Sequence, residues 1–214
     1  MSPRKYGQAC SVARFLDELG SRWTLLIVRD LLVGPRRFKE LLANSPSMGP
    51  NLLTDRLREL QDHGIVKKVA APSETATTYV LTEKGLALEP IVLTMARWGM
   101  HYATVDESNH GADRPDLLVV AFRAAFVPER AKGVKEAYEF RIDDTIFFAQ
   151  IDDAVLHTGL GTATHPAFIL TTDSQTFDKI AAGTLDIVDA QERCLIEVSG
   201  DEQAFARFLD LFSG

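Results

Sequence analysis

Cysteine is nearly missing from this chain: two residues, Cys10 and Cys194, stand far apart among 214 and form no CxxC pair. Such usage excludes a disulfide framework, offers no template for a zinc site and fits a reducing compartment. Long apolar runs are missing too, since nothing approaches the roughly 20 residues that span a bilayer, and Met1 to Gly7 is too polar for a secretory signal. A cytoplasmic protein with no membrane partner is expected. Catalytic templates are also lacking. His63, His101, His110, His157 and His165 are scattered, and no HExxH, GxSxG, Walker or GxGxxG pattern occurs. No enzyme, cofactor or metal is therefore expected, and Asp143-Asp144 and Asp152-Asp153 read as turn formers at strand ends.

Net positive charge is lacking as well, and a sum of −7 argues against a nucleic-acid partner until it is divided along the chain. Residues 1–105 carry 14 Lys+Arg against 10 Asp+Glu, or +4, whereas residues 106–214 carry 9 against 20, or −11. The change of sign coincides with VDESNHGADRP, a polar stretch containing Gly and Pro. The expected organisation is a domain over 1–105, a linker over 106–115 and a second domain over 116–214. A composition of 46% hydrophobic and 25% charged residues suits two modest globular cores.

What is present in the first half is helical periodicity. Val12, Phe15, Leu16 and Leu19 recur at helical spacing, and Trp23 to Leu32 is a dense apolar stretch ended by Gly34-Pro35. Arg36 to Ala43 reads as a third helix, followed by turn residues Asn44-Ser45-Pro46-Ser47. A further helix from Pro50 to His63 has Pro in its first turn and Gly64 just past its end. At about 100° per residue, Leu53, Leu57 and Leu60 share one face and Asn51, Thr54, Asp55, Arg58 and Asp62 the other. Two β-prone runs follow, Ile65 to Val69 and Thr77 to Leu81, and then one helix from Glu83 to Ala103. Helix, turn, outward-polar helix and hairpin spell a winged helix-turn-helix, whose second helix enters the major groove of double-stranded DNA.

Within that frame Asn51 suits adenine, Arg58 suits guanine and Thr54 adds a methyl or hydroxyl contact, because the major groove shows each base pair a distinct pattern. Arg36, Arg37 and Lys39 before the turn, with Lys67 and Lys68 in the wing, suit phosphates and would set register. Leu-spaced helices carrying arginines are commonly plain solvated surface, so the order of elements carries the weight. Asp55 and Asp62 on the same face would repel phosphate.

Five blocks, in order, resemble the HxlR-type regulators: the region of Cys10, GSRWTLLIVRDLL, GPRRFKEL, NLLTDRLRELQDHGIV and LTEKGLALEPI, within residues 7–103. The resemblance implies a bacterial homodimer that recognises inverted-repeat operators, with helices near 8–20 and 86–103 making the dimer contact. It also implies a second role for Cys10, since some members sense quinones, aldehydes or oxidants with a cysteine near the N-terminus. Arg14, one helical turn on, would favour thiolate, while small neighbours Ala9, Ser11 and Ala13 suit a cysteine that merely packs.

The second half reads as an α+β domain with an antiparallel sheet. DLLVVAFRAAF is an apolar helix, and three strands joined by tight turns follow in KEAYEFRIDDTIFFAQIDDAVLHTGL. Ala167 to Leu170 adds a strand, Asp173 caps a helix through Ala182, Cys194 to Val198 is a fifth strand with Cys194 buried, and Asp201 starts a closing helix. AFRAAFVPERAKGVKEAYEFRI, PAFILTTDSQTFDKIAAGTLD and RCLIEVSGDEQAFARFLDLF resemble the sterol-carrier-protein-like domain, although the usual Gly-Arg before the final strand is missing. The resemblance implies a cavity for a hydrophobic small-molecule effector, walled by Phe122, Phe126, Phe147 and Phe168; ordinary core packing is the other reading of those rings. Two functions stand at this point: a DNA-binding repressor responsive to such a ligand, and a lipid-carrier or protein-interaction module whose winged helix mainly dimerises.

Overall fold

The computed structural model describes residues 5–70, 77–102, 114–181 and 183–212. The chain divides into two compact units, Met1–Val92 and Leu93–Gly214. The expected linker, 106–115, and the tip of the expected hairpin lie almost wholly outside the described residues.

The first unit opens with α1 (Ser11–Leu19), α2 (Thr24–Val33), α3 (Phe38–Ala43) and α4 (Pro50–Asp62). A hairpin of β1 (Val66–Ala70) and β2 (Thr77–Leu81) follows, then α5 (Glu83–Leu86) and α6 (Glu89–Tyr102), the last of which continues into the second unit. The core gathers Leu19, Ile27, Val28, Leu31, Leu41, Leu53, Leu57, Leu60 and Ile65, all buried. These are the positions that helical spacing brings to one face of each helix.

Two expectations are corrected here. The third helix begins at Phe38 rather than Arg36, because Arg36 has given its backbone to the hairpin. Its N–H donates to the Tyr79 carbonyl (3.1 Å) and its carbonyl accepts from Tyr79 N–H (2.7 Å), a bridge that adds a third strand position to β1–β2. The single helix expected over Glu83 to Ala103 is two helices. Pro90 has no N–H to give the Leu86 carbonyl and its ring would clash there, so the chain passes through i→i+3 bonds at Leu88 and Ile91 and restarts.

The second unit holds α7 (Leu118–Ala125), preceded by a 3₁₀ turn at Pro115–Leu117, and the meander β3 (Lys135–Ile142), β4 (Thr145–Asp152) and β5 (Val155–Leu160). Then come β6 (Phe168–Thr172), α8 (Ser174–Ala181), α9 (Ile187–Glu192), β7 (Glu197–Gly200) and α10 (Glu202–Phe212). Asp143, Asp153 and Ala154 turn the meander in left-handed conformations, as Asp tolerates better than most residues.

The sheet order is β5-β4-β3-β6-β7, and β6 runs parallel to β3, so the sheet is mixed and not antiparallel as expected. Alternation reveals which face a residue takes but not which neighbour a strand joins. After β5 the chain crosses back over the sheet instead of turning onto β5. Glu139, only 2% exposed, holds this crossover by accepting from Ala163 N–H (2.9 Å), and its charge is met by Arg141 (2.7 Å). On the opposite face Tyr138, Phe140, Ile142, Phe147, Ile151 and Phe168 are buried beneath α7 and α10.

Cys194 is a further correction, since it is exposed and lies outside β7. Helix α9 went unseen in the sequence, and Cys194 sits just beyond its end at φ 54°, where Leu195 N–H reaches back to the Ala190 carbonyl (2.9 Å). This is the left-handed position that ends helices and usually favours Gly.

Candidate nucleic-acid interface

The outer face of α4 is set by its inner one. Leu53, Leu57 and Leu60 are each at most 1% exposed, and this leaves Asn51, Thr54, Asp55, Arg58 and Asp62 on the exposed side. The Thr54 hydroxyl donates to the Pro50 carbonyl (2.9 Å), which leaves its methyl group and an oxygen lone pair for other contacts. Arg58 stands 3.9 Å from Asp55, a loose exposed pair that partly offsets an acid on the outward face. Arg56, between them, pairs with Glu59 and is half-buried, so it belongs to the flank of the helix.

Phosphate-type residues are distributed as follows. Arg37 and Lys39 are exposed around the start of α3, where Arg37 N–H donates to Glu40 Oε2 (2.6 Å). Arg36 is half-buried against Tyr79 in the hairpin and so joins the wing rather than the helix. Lys67 and Lys68 are both exposed on β1, but neighbouring strand residues point to opposite faces. Lys68 Nζ lies 5.3 Å from the centre of the Tyr79 ring, close enough for a cation–π contact that orients it.

The far end of α4 is closed by residues whose part sequence reasoning missed. Gly64, at φ 67°, takes the left-handed turn past the helix, and Ile65 N–H returns to the Leu60 carbonyl (2.9 Å). The carbonyls of residues 63–65 are met by the segment entering α5: His63 by Lys84 Nζ (2.9 Å), Gly64 by the Thr82 hydroxyl (2.6 Å) and Ile65 by Thr82 N–H (2.9 Å). Lys84 also reaches Glu18 of α1 (3.3 Å). Gly85 makes the approach feasible, because a Cβ there would lie 2.2 Å from the Ile65 oxygen. The signal was on the page as Thr-x-Lys-Gly directly after a strand.

Cys10 is the N-cap of α1, exposed, with its thiol pKa below the ordinary value. The cause is the backbone N–H of Ala13 and then that of Val12, at the positive end of the helix, and not the Arg14 guanidinium expected to do this. On α6, Ile91, Met95, Trp98 and Tyr102 fall at helical spacing on one exposed stripe, with Trp98 61% and Tyr102 73% accessible. Val12 and Leu16 are exposed on α1.

A family model for the HxlR-like helix-turn-helix matches residues 18–107. The chain is 39% identical over 88 residues to the uncharacterized HTH-type transcriptional regulator YvaP of Bacillus subtilis, covering 41% of this chain and 82% of that one. This chain belongs to the HxlR family. To the HTH-type transcriptional regulator YodB of the same organism it is 40% identical over 81 residues, or 37% of this chain and 72% of YodB. Against the solved reduced form of YodB the identity is 33% over 48% of this chain and 99% of that one, with a TM-score of 0.40. The HxlR match takes in α2 to α6 and ends before the sheet of the second unit.

In that second unit the four phenylalanines expected to wall a cavity are buried and in contact with other rings. Phe122 lies 5.5 Å from Phe147, Phe126 5.8 Å from Phe212, and Phe168 5.4 Å from Phe208, centre to centre. A cavity of about 20 Å³ lies beside Leu118, Ile142 and Phe177, and none of the four lines it. That volume holds about one water. No helix among the described residues is long and apolar enough to cross a membrane.

Proposed function

We propose that this HxlR-family chain is a DNA-binding transcriptional regulator, acting as a repressor, whose homodimer places one α4 in each half of an inverted-repeat operator. The observation that carries the reading is α4 itself: a buried leucine face fixes the helix, and Asn51, Thr54 and Arg58 project together from the other side. Asn51 and Arg58 read base edges, while Arg37, Lys39, Lys67 and Lys68, with Arg36 at the wing, hold phosphates. The exposed stripe on α6, with Val12 and Leu16 on α1, supports a dimer, since apolar rows of this kind are seldom left in water. The reading includes no catalytic step and takes the protein to act in the cytoplasm.

For the second unit, the proposal is a sterol-carrier-protein-like domain that takes a hydrophobic small molecule among its aromatic rings and thereby changes operator affinity. Because Phe122, Phe126, Phe147 and Phe168 pack ring on ring, entry of a ligand requires those rings to part. A second sensing mode is supported by Cys10, whose exposure and lowered thiol pKa suit reaction with an electrophile or oxidant.

The deciding experiment titrates the protein into labelled duplex from its own upstream DNA at two salt concentrations, with Asn51→Ala plus Arg58→Ala as the comparison. Tight binding that weakens steeply with salt is expected, with a loss of at least about thirtyfold in the double variant. No sequence preference on upstream or other genomic fragments would remove the regulator reading. In the same titration, a fluorescent long-chain fatty acid at demonstrated occupancy should shift operator affinity by about fivefold or more. Unchanged affinity would remove ligand control.

A further inference from the structure

The chemistry of the Thr82–Gly85 segment is not used by any proposed base or phosphate contact, yet it meets three successive carbonyls where the chain leaves α4, those of the cap residue His63 and of Gly64 and Ile65. We propose that Lys84 is a positioning residue for operator recognition, holding the C-terminal end of α4 to α1 and so setting the angle at which Asn51 and Arg58 are presented. The inference rests on the reading of α4 as the recognition helix.

The physical case begins with the helix end. An α-helix leaves its last carbonyls without internal partners, and the partial negative charge there favours a cation. Lys84 supplies that cation at His63, 2.9 Å away, and its second partner, Glu18, stands in the last turn of α1. One ammonium group thus lies between the C-terminal ends of two helices and is attracted by both the helix end and the carboxylate. Thr82 fixes the base of the arrangement: its hydroxyl donates to Gly64 and accepts from Gly85 N–H (3.1 Å). The contact forms only because Gly85 has no Cβ.

Lys84 is therefore distinguished from the phosphate lysines by what its removal should do. Nonspecific binding depends on charge near the DNA backbone and tolerates small rotations of α4. Base readout needs side chains held to within about 0.5 Å and 10–20°. A loosened α4 should then lose discrimination while keeping its general attraction to DNA.

The test uses the full chain and two duplexes: one selected by the wild-type protein from a random-sequence library, and a scrambled duplex of equal composition. Lys84→Met should lower affinity for the selected duplex by about five- to tenfold, leave the scrambled duplex within about twofold, and leave the salt dependence unchanged. Lys84→Arg should recover most of the loss. Lys67→Met, in contrast, should weaken both duplexes and reduce the salt slope by about one. Because Lys84→Met removes a helix cap, Glu18→Gln is read in parallel. It alters only an exposed pair and should cost about two- to threefold on the selected duplex. Wild-type discrimination in Lys84→Met, or equal losses on both duplexes, overturns the proposal; wild-type discrimination in Glu18→Gln overturns the tie to α1. If Asn51→Ala plus Arg58→Ala keeps discrimination, the recognition-helix reading has failed and Lys84 falls with it. If that double variant loses discrimination while Lys84→Met retains it, the positioning role alone is wrong.

Discussion

Cys10 shows how little separates a packing residue from a reactive one. Its neighbours Ala9, Ser11 and Ala13 are small enough for a buried thiol, but the chain enters α1 at this residue, which leaves the thiol in water beside the N–H groups of Ala13 and Val12. Those dipoles favour thiolate, so the pKa falls, and the thiolate is the nucleophile. Alkylation of Cys10 by iodoacetamide should therefore persist to lower pH than that of an unstructured peptide cysteine, as followed by mass spectrometry across a pH series. A profile coincident with the free peptide would show that the helix end does not activate the thiol. Cys194 is the opposite case: an apolar context, Leu195-Ile196, suggested burial, and a helix end unseen in the sequence turned the residue outward.

Among the elements, strands and helices announced themselves through their periods, whereas their junctions did not. Pro90 was readable as a first-turn residue of a new helix, yet the apolar residues on both sides of Glu89-Pro90 concealed the restart. Strand β5 shows what an edge requires. Gly161 N–H donates to the Ile146 carbonyl, which places Thr158 where its own carbonyl faces away from β4. Arg123 of α7 covers that carbonyl (2.8 Å) and also donates to the Thr158 hydroxyl (2.7 Å). The hydroxyl in turn donates to Val119 (3.0 Å). Arg123→Met should lower stability by about 1–3 kcal/mol, since it leaves a half-buried carbonyl without its donor, and should raise association through the uncovered edge. Urea unfolding and light scattering read the two effects, and an unchanged midpoint would show that water replaces the guanidinium at no cost.

For the whole molecule, the partition of charge and the family match speak to the same end of the chain. The basic half carries the HxlR elements, and the acidic half carries a sheet whose core is rich in phenylalanine. The stripe on α6 is the feature that most needs a partner. In the proposed homodimer, Trp98→Glu should shift dimer to monomer at micromolar concentration, because it places a charge in the middle of an apolar row. Sedimentation equilibrium reads this directly, and a dimer that survives the substitution would place the contact elsewhere. The same variant should lose operator affinity more than affinity for a single half-site, since two linked recognition helices bind by effective concentration.

The sequence by itself determined the helical faces, the outward polar row on α4, the hairpin and the two Asp turns, because each depends on neighbours within a few residues. Leu53, Leu57 and Leu60 could have packed nowhere but inward, and Asn51, Thr54 and Arg58 followed to the other side. Tertiary structure alone decided what depends on residues far along the chain. Arg36 went to the wing because Tyr79 offered it a backbone partner, β6 ran parallel to β3 because a crossover pinned by Glu139 carried it there, and Lys84 reached His63 because Gly85 has no side chain. Hydrophobic period is a local property, while the pairing of backbone groups and charges is settled only when distant segments compete for the same partner.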